Sequence, residues 1–174
     1  MEKRLIRLAN PDLANLDNPE ILTLKQAQQK LLSKDDILLQ YALGQDRSYL
    51  FAVTKTGMTV HTLAGQETIE STATEFFGHL TARRREGDIA DTGACLNQLI
   101  LPPGVVQQMQ GKRVIIAADG ILHTIPFAAL PLPSTSASQQ DACSDEAQTP
   151  DYKPLISQFE LVNIPSLTAK VSSI

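Results

Sequence analysis

The chain has 174 residues, 43% hydrophobic and 20% charged, enough for one domain with an ordinary core. Lys+Arg 15 against Asp+Glu 19 gives a net charge of -4 and a pI near 5.3, without the basic excess of a nucleic-acid binder. Two cysteines and three histidines are too few for a disulfide framework or a metal cluster, and no apolar run reaches the roughly 18 residues of a membrane span.

In chain order, residues 1–20 carry Pro11, Pro19 and several Asn and Asp, and read as a linker or frayed lead-in. The basic stretch near the start has no apolar region behind it, so no signal peptide is expected and the expected location is cytoplasmic. Thr23 and Gln26 have the spacing of a capping box, and Leu24, Ala27, Leu31 and Leu32 follow a helical stripe that stops near Ser33–Asp36. Ile37, Leu39, Tyr41 and Leu43 then alternate, as do Tyr49, Phe51 and Val53, and Met58, Val60 and Thr62. With Gly44 and Gly57 in the turns between them, these runs predict an antiparallel meander. Its aromatic residues are expected to pack in the core or across strands rather than form a ligand platform.

The helical period returns from Gln66, with Ile69, Ala73, Phe76, Phe77 and Leu80 on one face, early Glu residues and a late Arg83-Arg84-Arg85 run. Gly87 is the expected stop. A second helix is predicted from about Asp91 to the Pro102-Pro103 break, with Cys95, Leu96, Leu99 and Ile100 inward, then a short turn over 105–110. Arg113 to Ala118 is a continuous apolar run, the pattern of a parallel strand buried on both faces. Residues 134–151 hold Ser, Thr, Gln, Ala and acidic residues but no Lys or Arg, and read as a disordered insertion containing Cys143. Phe159–Ile164 is a second strand of the parallel type, and Leu167–Val171 a last helical segment.

The sharpest local feature is Asp119-Gly120-Ile121-Leu122-His123-Thr124-Ile125-Pro126-Phe127. It puts a carboxylate and an imidazole in the loop after a buried strand, where open α/β sheets hold their ligands. One reading makes Asp119 a nucleophile or ligand contact with His123 assisting; the other makes Asp119-Gly120 turn chemistry and His123 a brace of the loop, and turn chemistry alone explains Asp-Gly. No Gly-rich phosphate fingerprint follows the strand, so no nucleotide cofactor is expected. His61 on a strand and His79 on a helix lack Cys, Asp or Glu at ligand spacing, and no metal is expected. Cys95 reads as a small core residue. Nothing near Cys143 would lower its thiol pKa.

Three ordered blocks carry a resemblance. Leu31 to Thr54 resembles the opening of a CHAT domain. Lys112 to Leu130, with its Asp-Gly-Ile-Leu-His-Thr-Ile-Pro-Phe loop, resembles that family's strand and following loop, and Tyr152 to Leu167 resembles the next strand and its Pro-Ser-Leu helix start. CHAT domains are caspase-like peptidase domains commonly found after tetratricopeptide repeats in bacteria, notably cyanobacteria. The resemblance implies the N-terminal portion of such a domain over residues 21–174: an antiparallel β-meander plus helices leading into the first strands of a parallel α/β sheet, mixed in class and incomplete.

In the family the catalytic His, in a His-Gly context, and the nucleophilic Cys, in an Ala-Cys context, follow on later strands. Neither His123 nor Cys143 matches those positions, so no catalytic residue carries over. Asp119, Gly120, His123, Pro126 and Phe127 are then a loop bordering the site of a complete domain. The resulting expectation is a chain inactive alone, completed by a protein partner that supplies the C-terminal half. Two other readings stay open: a stand-alone interaction module docking partners through its meander or sheet edge, and a small hydrolase using Asp119.

Overall fold

Local chemistry starts most elements where the sequence signals it. The computed structural model describes residues 23–133, 143 and 152–165, so the lead-in over 1–20, the last helix over 167–171 and all of 134–151 except Cys143 lie outside the described residues. Helix α1 (Leu24–Lys30) opens on the expected capping box: the Gln26 amide donates to Thr23 Oγ1 at 3.3 Å, and Gln26 Oε1 accepts from the Thr23 amide at 2.9 Å. Strands β1 (Asp36–Ala42), β2 (Ser48–Thr54) and β3 (Met58–Leu63) form the predicted antiparallel meander.

Helices α2 (Gln66–Thr81), α3 (Glu86–Ile100) and α4 (Pro103–Met109) follow, then β4 (Arg113–Ala117) and β5 (Glu160–Ile164). One helix boundary differs from expectation. Gly87 does not stop α2 but lies in the first turn of α3, which starts at Glu86 rather than Asp91. The break falls earlier, at Arg83, whose φ of 50° turns the chain out of the helix. Glu86 and Asp88 then sit in the first turn of α3, where the helix dipole favours carboxylates, and a glycine there interrupts no interior helical ladder.

The five strands form one open mixed sheet in the order β3-β2-β1-β4-β5, with β1, β4 and β5 parallel. The meander and the parallel strands are therefore one sheet, joined where Leu38 pairs with Ile115 and Leu39 with Ile116. Alternation in β1 suggests a strand with one wet face, yet Leu38 and Leu39 are both buried, because β1 is central and both of its faces are covered.

One face carries most of the core. Ile37, Leu39, Tyr41, Leu50, Val114 and Ile116 pack there with Ile69 and Phe76 of α2, Leu96 and Ile100 of α3, and Val105 and Met109 of α4. The β4–β5 connection adds Leu122, Phe127 and Leu155 to the same cluster. Parallel connections of one handedness that advance in one direction across a sheet must lie on one face. The opposite face is covered more thinly: Ala27, Leu31 and Leu32, in and just after α1, lie on Leu38, Val53, Ile115 and Ala117. At the foot of the sheet Asp36 is buried, accepting from the Ser33 amide at 2.8 Å and from Arg113 Nε at 2.9 Å.

The cysteines depart furthest from expectation. Cys95 of α3 and Cys143 are joined in a disulfide with a Cα–Cα distance of 4.6 Å. Cys95 is half-buried rather than a core residue. The stem of the segment bearing Cys143 lies against α3: Asn97 Nδ2 donates to the Pro131 carbonyl, and Pro131 packs on Gly93 so closely that a Cβ there would stand 2.5 Å from its ring. That packing brings together two residues 48 apart in sequence.

Candidate functional site

β1 and β4 run parallel and end together, so the loops after them meet above the middle of the sheet. This is the crevice position in which open α/β folds place their sites. Asp119 follows β4, and both of its carboxylate oxygens are engaged by backbone. Oδ2 accepts from the Leu43 amide at 2.8 Å, tying the end of β1 to the β4 loop, and Oδ1 accepts from the Gly120 amide at 2.9 Å. Asp119 thereby caps the 3-10 helical turn Gly120–Thr124. Gly120 has a φ of 54°, the left-handed region that favours glycine, and a Cβ added there would press on Leu43 Cδ1 at 3.0 Å.

Beyond the turn, Leu122, Ile125 and Phe127 point into the core, and the Phe127 ring sits 5.8 Å from that of Tyr41. Burial pushes the Tyr41 phenol far above its ordinary pKa, and the hydroxyl donates to the Ile100 carbonyl at 3.1 Å. His123 and Pro126 are exposed, and the His123 side chain makes no hydrogen bond among the described residues. The structure thus gathers Asp119, Gly120 and Phe127 into one strut between β1, β4 and the core, and leaves His123 outside it. Replacing Asp119 with Ala should lower the unfolding free energy by about 1–2 kcal/mol, read by urea denaturation, since it unpairs two backbone amides. An unchanged midpoint would mean that water replaces both bonds without loss.

Beside this loop the fold makes a feature that the sequence reading missed. An open groove of about 920 Å³ is lined by Asp46 after β1 and by Gln66, Glu67, Glu70 and Glu75 of α2. It abuts the loop, because Glu70 Oε1 lies 3.7 Å from where a Cβ of Gly120 would project. Gln66 Nε2 donates to Glu70 Oε1 at 2.7 Å, and Thr74 Oγ1 donates to the Glu70 carbonyl. The signal was present in the helical spacing of Glu67, Glu70 and Thr74, but its carboxylates read equally well as partners of the helix dipole. Such a groove attracts cationic groups. Its lining also includes Ser71 and Thr74, and no His or Cys.

The other histidines are held by local polar contacts. His61 Nε2 is 3.0 Å from Thr59 Oγ1, and His79 Nδ1 is 3.2 Å from the Asp88 carbonyl. Among the described residues no group of three or more His, Cys, Asp and Glu is placed to hold a metal ion, and no helix is long and apolar enough to cross a membrane. A scan of the chain against protein-family models finds no match, and a search of curated proteins finds none either.

Proposed function

We propose that this chain is the N-terminal portion of a CHAT-type, caspase-like domain, without peptidase activity of its own, whose sheet is completed by strands supplied from elsewhere. The observation that supports it is the outer edge of β5. Order β1-β4-β5 advances in one direction, and no described strand pairs with β5 on its far side. Val162 and Ile164 are only half-buried there, whereas Ile115 and Ala117, their neighbours on β4, are buried. A parallel edge with apolar residues favours a further strand. The polypeptide that adds it would bring the His-Gly and Ala-Cys segments, and the Asp119–Phe127 loop would border the site so formed. In that completed domain a thiolate activated by the histidine attacks a peptide carbonyl. The setting we infer is cytoplasmic.

The DNA following the Ile174 codon and amide hydrogen exchange together test this. A frame encoding His-Gly and Ala-Cys strands, with fast exchange over 160–164 that slows when those strands are supplied, is the expected result. Slow exchange throughout 113–118 and 160–164 in the chain alone would sink it and favour an interaction module. That second reading draws on the other edge, where Met58 and Val60 of β3 are 43% and 50% exposed.

A further inference from the structure

We infer that Cys95 and Cys143 form a thiol–disulfide exchange site, a reversible cross-link that reports the redox state of the surroundings while the fold stays in place. This goes beyond the proposed domain assignment and does not depend on it. They are the two cysteines of the chain, and they are already bonded to each other. Their exposure is unequal: Cys143 is exposed, whereas Cys95 is half-buried on α3. An incoming thiolate therefore reaches the Cys143 sulfur first.

The exchange balances as follows. A thiolate of a dithiol reductant, or of glutathione, bonds to Cys143 Sγ as the Cys143–Cys95 bond breaks, and Cys95 leaves as a thiolate that takes up a proton. A second thiol of the reductant then attacks its own sulfur in the mixed disulfide and frees Cys143, which is protonated in turn. Two electrons and two protons pass from the reductant, which leaves as a disulfide.

The fold does not depend on this bond to keep its strands in place. The stem on either side of 134–151 is closed independently by an antiparallel bridge between Pro131 and Pro154, by the Leu132 amide donating to the Lys153 carbonyl at 2.7 Å, and by the Tyr152 hydroxyl donating to the Ala129 carbonyl. Asn97 and Gly93 hold Pro131 against α3 whether or not the sulfurs are joined. Opening the bond changes the attachment of Cys143 to α3 and leaves the route into β5 intact.

The test equilibrates the full chain in glutathione buffers of graded poise and counts free thiols by maleimide mass shift. Hydrogen exchange is recorded at both ends of the series. The expected result is one two-electron transition between no free thiols and two, with no cross-link between chains. Exchange should quicken around 94–98 on reduction and stay unchanged over 113–117 and 160–164. In Cys95→Ser, oxidised glutathione should modify Cys143 at least about tenfold faster than it modifies Cys95 in Cys143→Ser. Two free thiols persisting in oxidised glutathione, cross-linking only between chains, or faster exchange throughout the sheet on reduction would each overturn the inference.

Discussion

Replacing Phe127 with Ala is expected to lower the unfolding free energy by about 3–5 kcal/mol, measured by chemical denaturation. Phe127 is 1% exposed and is one of the largest fully buried side chains of the described structure. It belongs to a loop, yet it packs in the main cluster with residues of β1, α2 and α3 and against the Tyr41 ring. Truncation would leave a cavity that these elements cannot close, since each is fixed by its own backbone pairing. Phe127→Leu fills most of the volume and should cost much less. A small loss for the Ala variant would mean that the loop collapses into the space, and that the strut above the sheet is softer than its packing indicates.

Asp36 is expected to give the second largest effect. Asp36→Ala should cost about 2–3 kcal/mol at neutral pH, because it unpairs the Ser33 amide and one side of Arg113. The Arg113 side chain is 42% exposed, so water solvates the cation left behind and the loss stays below that of a fully buried pair. Burial alone would push the Asp36 carboxyl up. The hydrogen bond from Arg113, those from Ser33 and the Arg113 charge together outweigh it and hold the group below its ordinary range.

A carboxyl lowered on folding contributes stability that is present above its unfolded pKa, about 3.9, and is lost as pH falls through the folded value. The difference in stability between the wild type and Asp36→Asn should therefore be constant near neutrality and shrink below about pH 4. A difference that held constant to pH 2 would show that ionisation of Asp36 plays no part.

Much of the local structure was legible in the residues. The Thr23–Gln26 box, the three alternating runs and the apolar run after Arg113 each fix an element through interactions within a few residues. The α2–α3 boundary was misread because glycine was weighed as punctuation, while the left-handed backbone fell on Arg83. In the candidate site, the turn at Asp119-Gly120 was legible as turn chemistry. Its second bond, to the Leu43 amide 76 residues away, was not. The acidic groove also joins residues far apart in sequence, Asp46 with the exposed face of α2.

The sequence by itself determined most of the elements and their order, because capping, alternation and apolar runs act over one or two turns of chain. Only the tertiary structure decided that β1 pairs with β4, that Leu38 and Leu39 are therefore both buried, and that Asp119 braces two strands. It also decided that Cys95 and Cys143 meet. These contacts span 48 to 77 residues, and no local preference encodes which distant partner a strand edge, a carboxylate or a thiol will find.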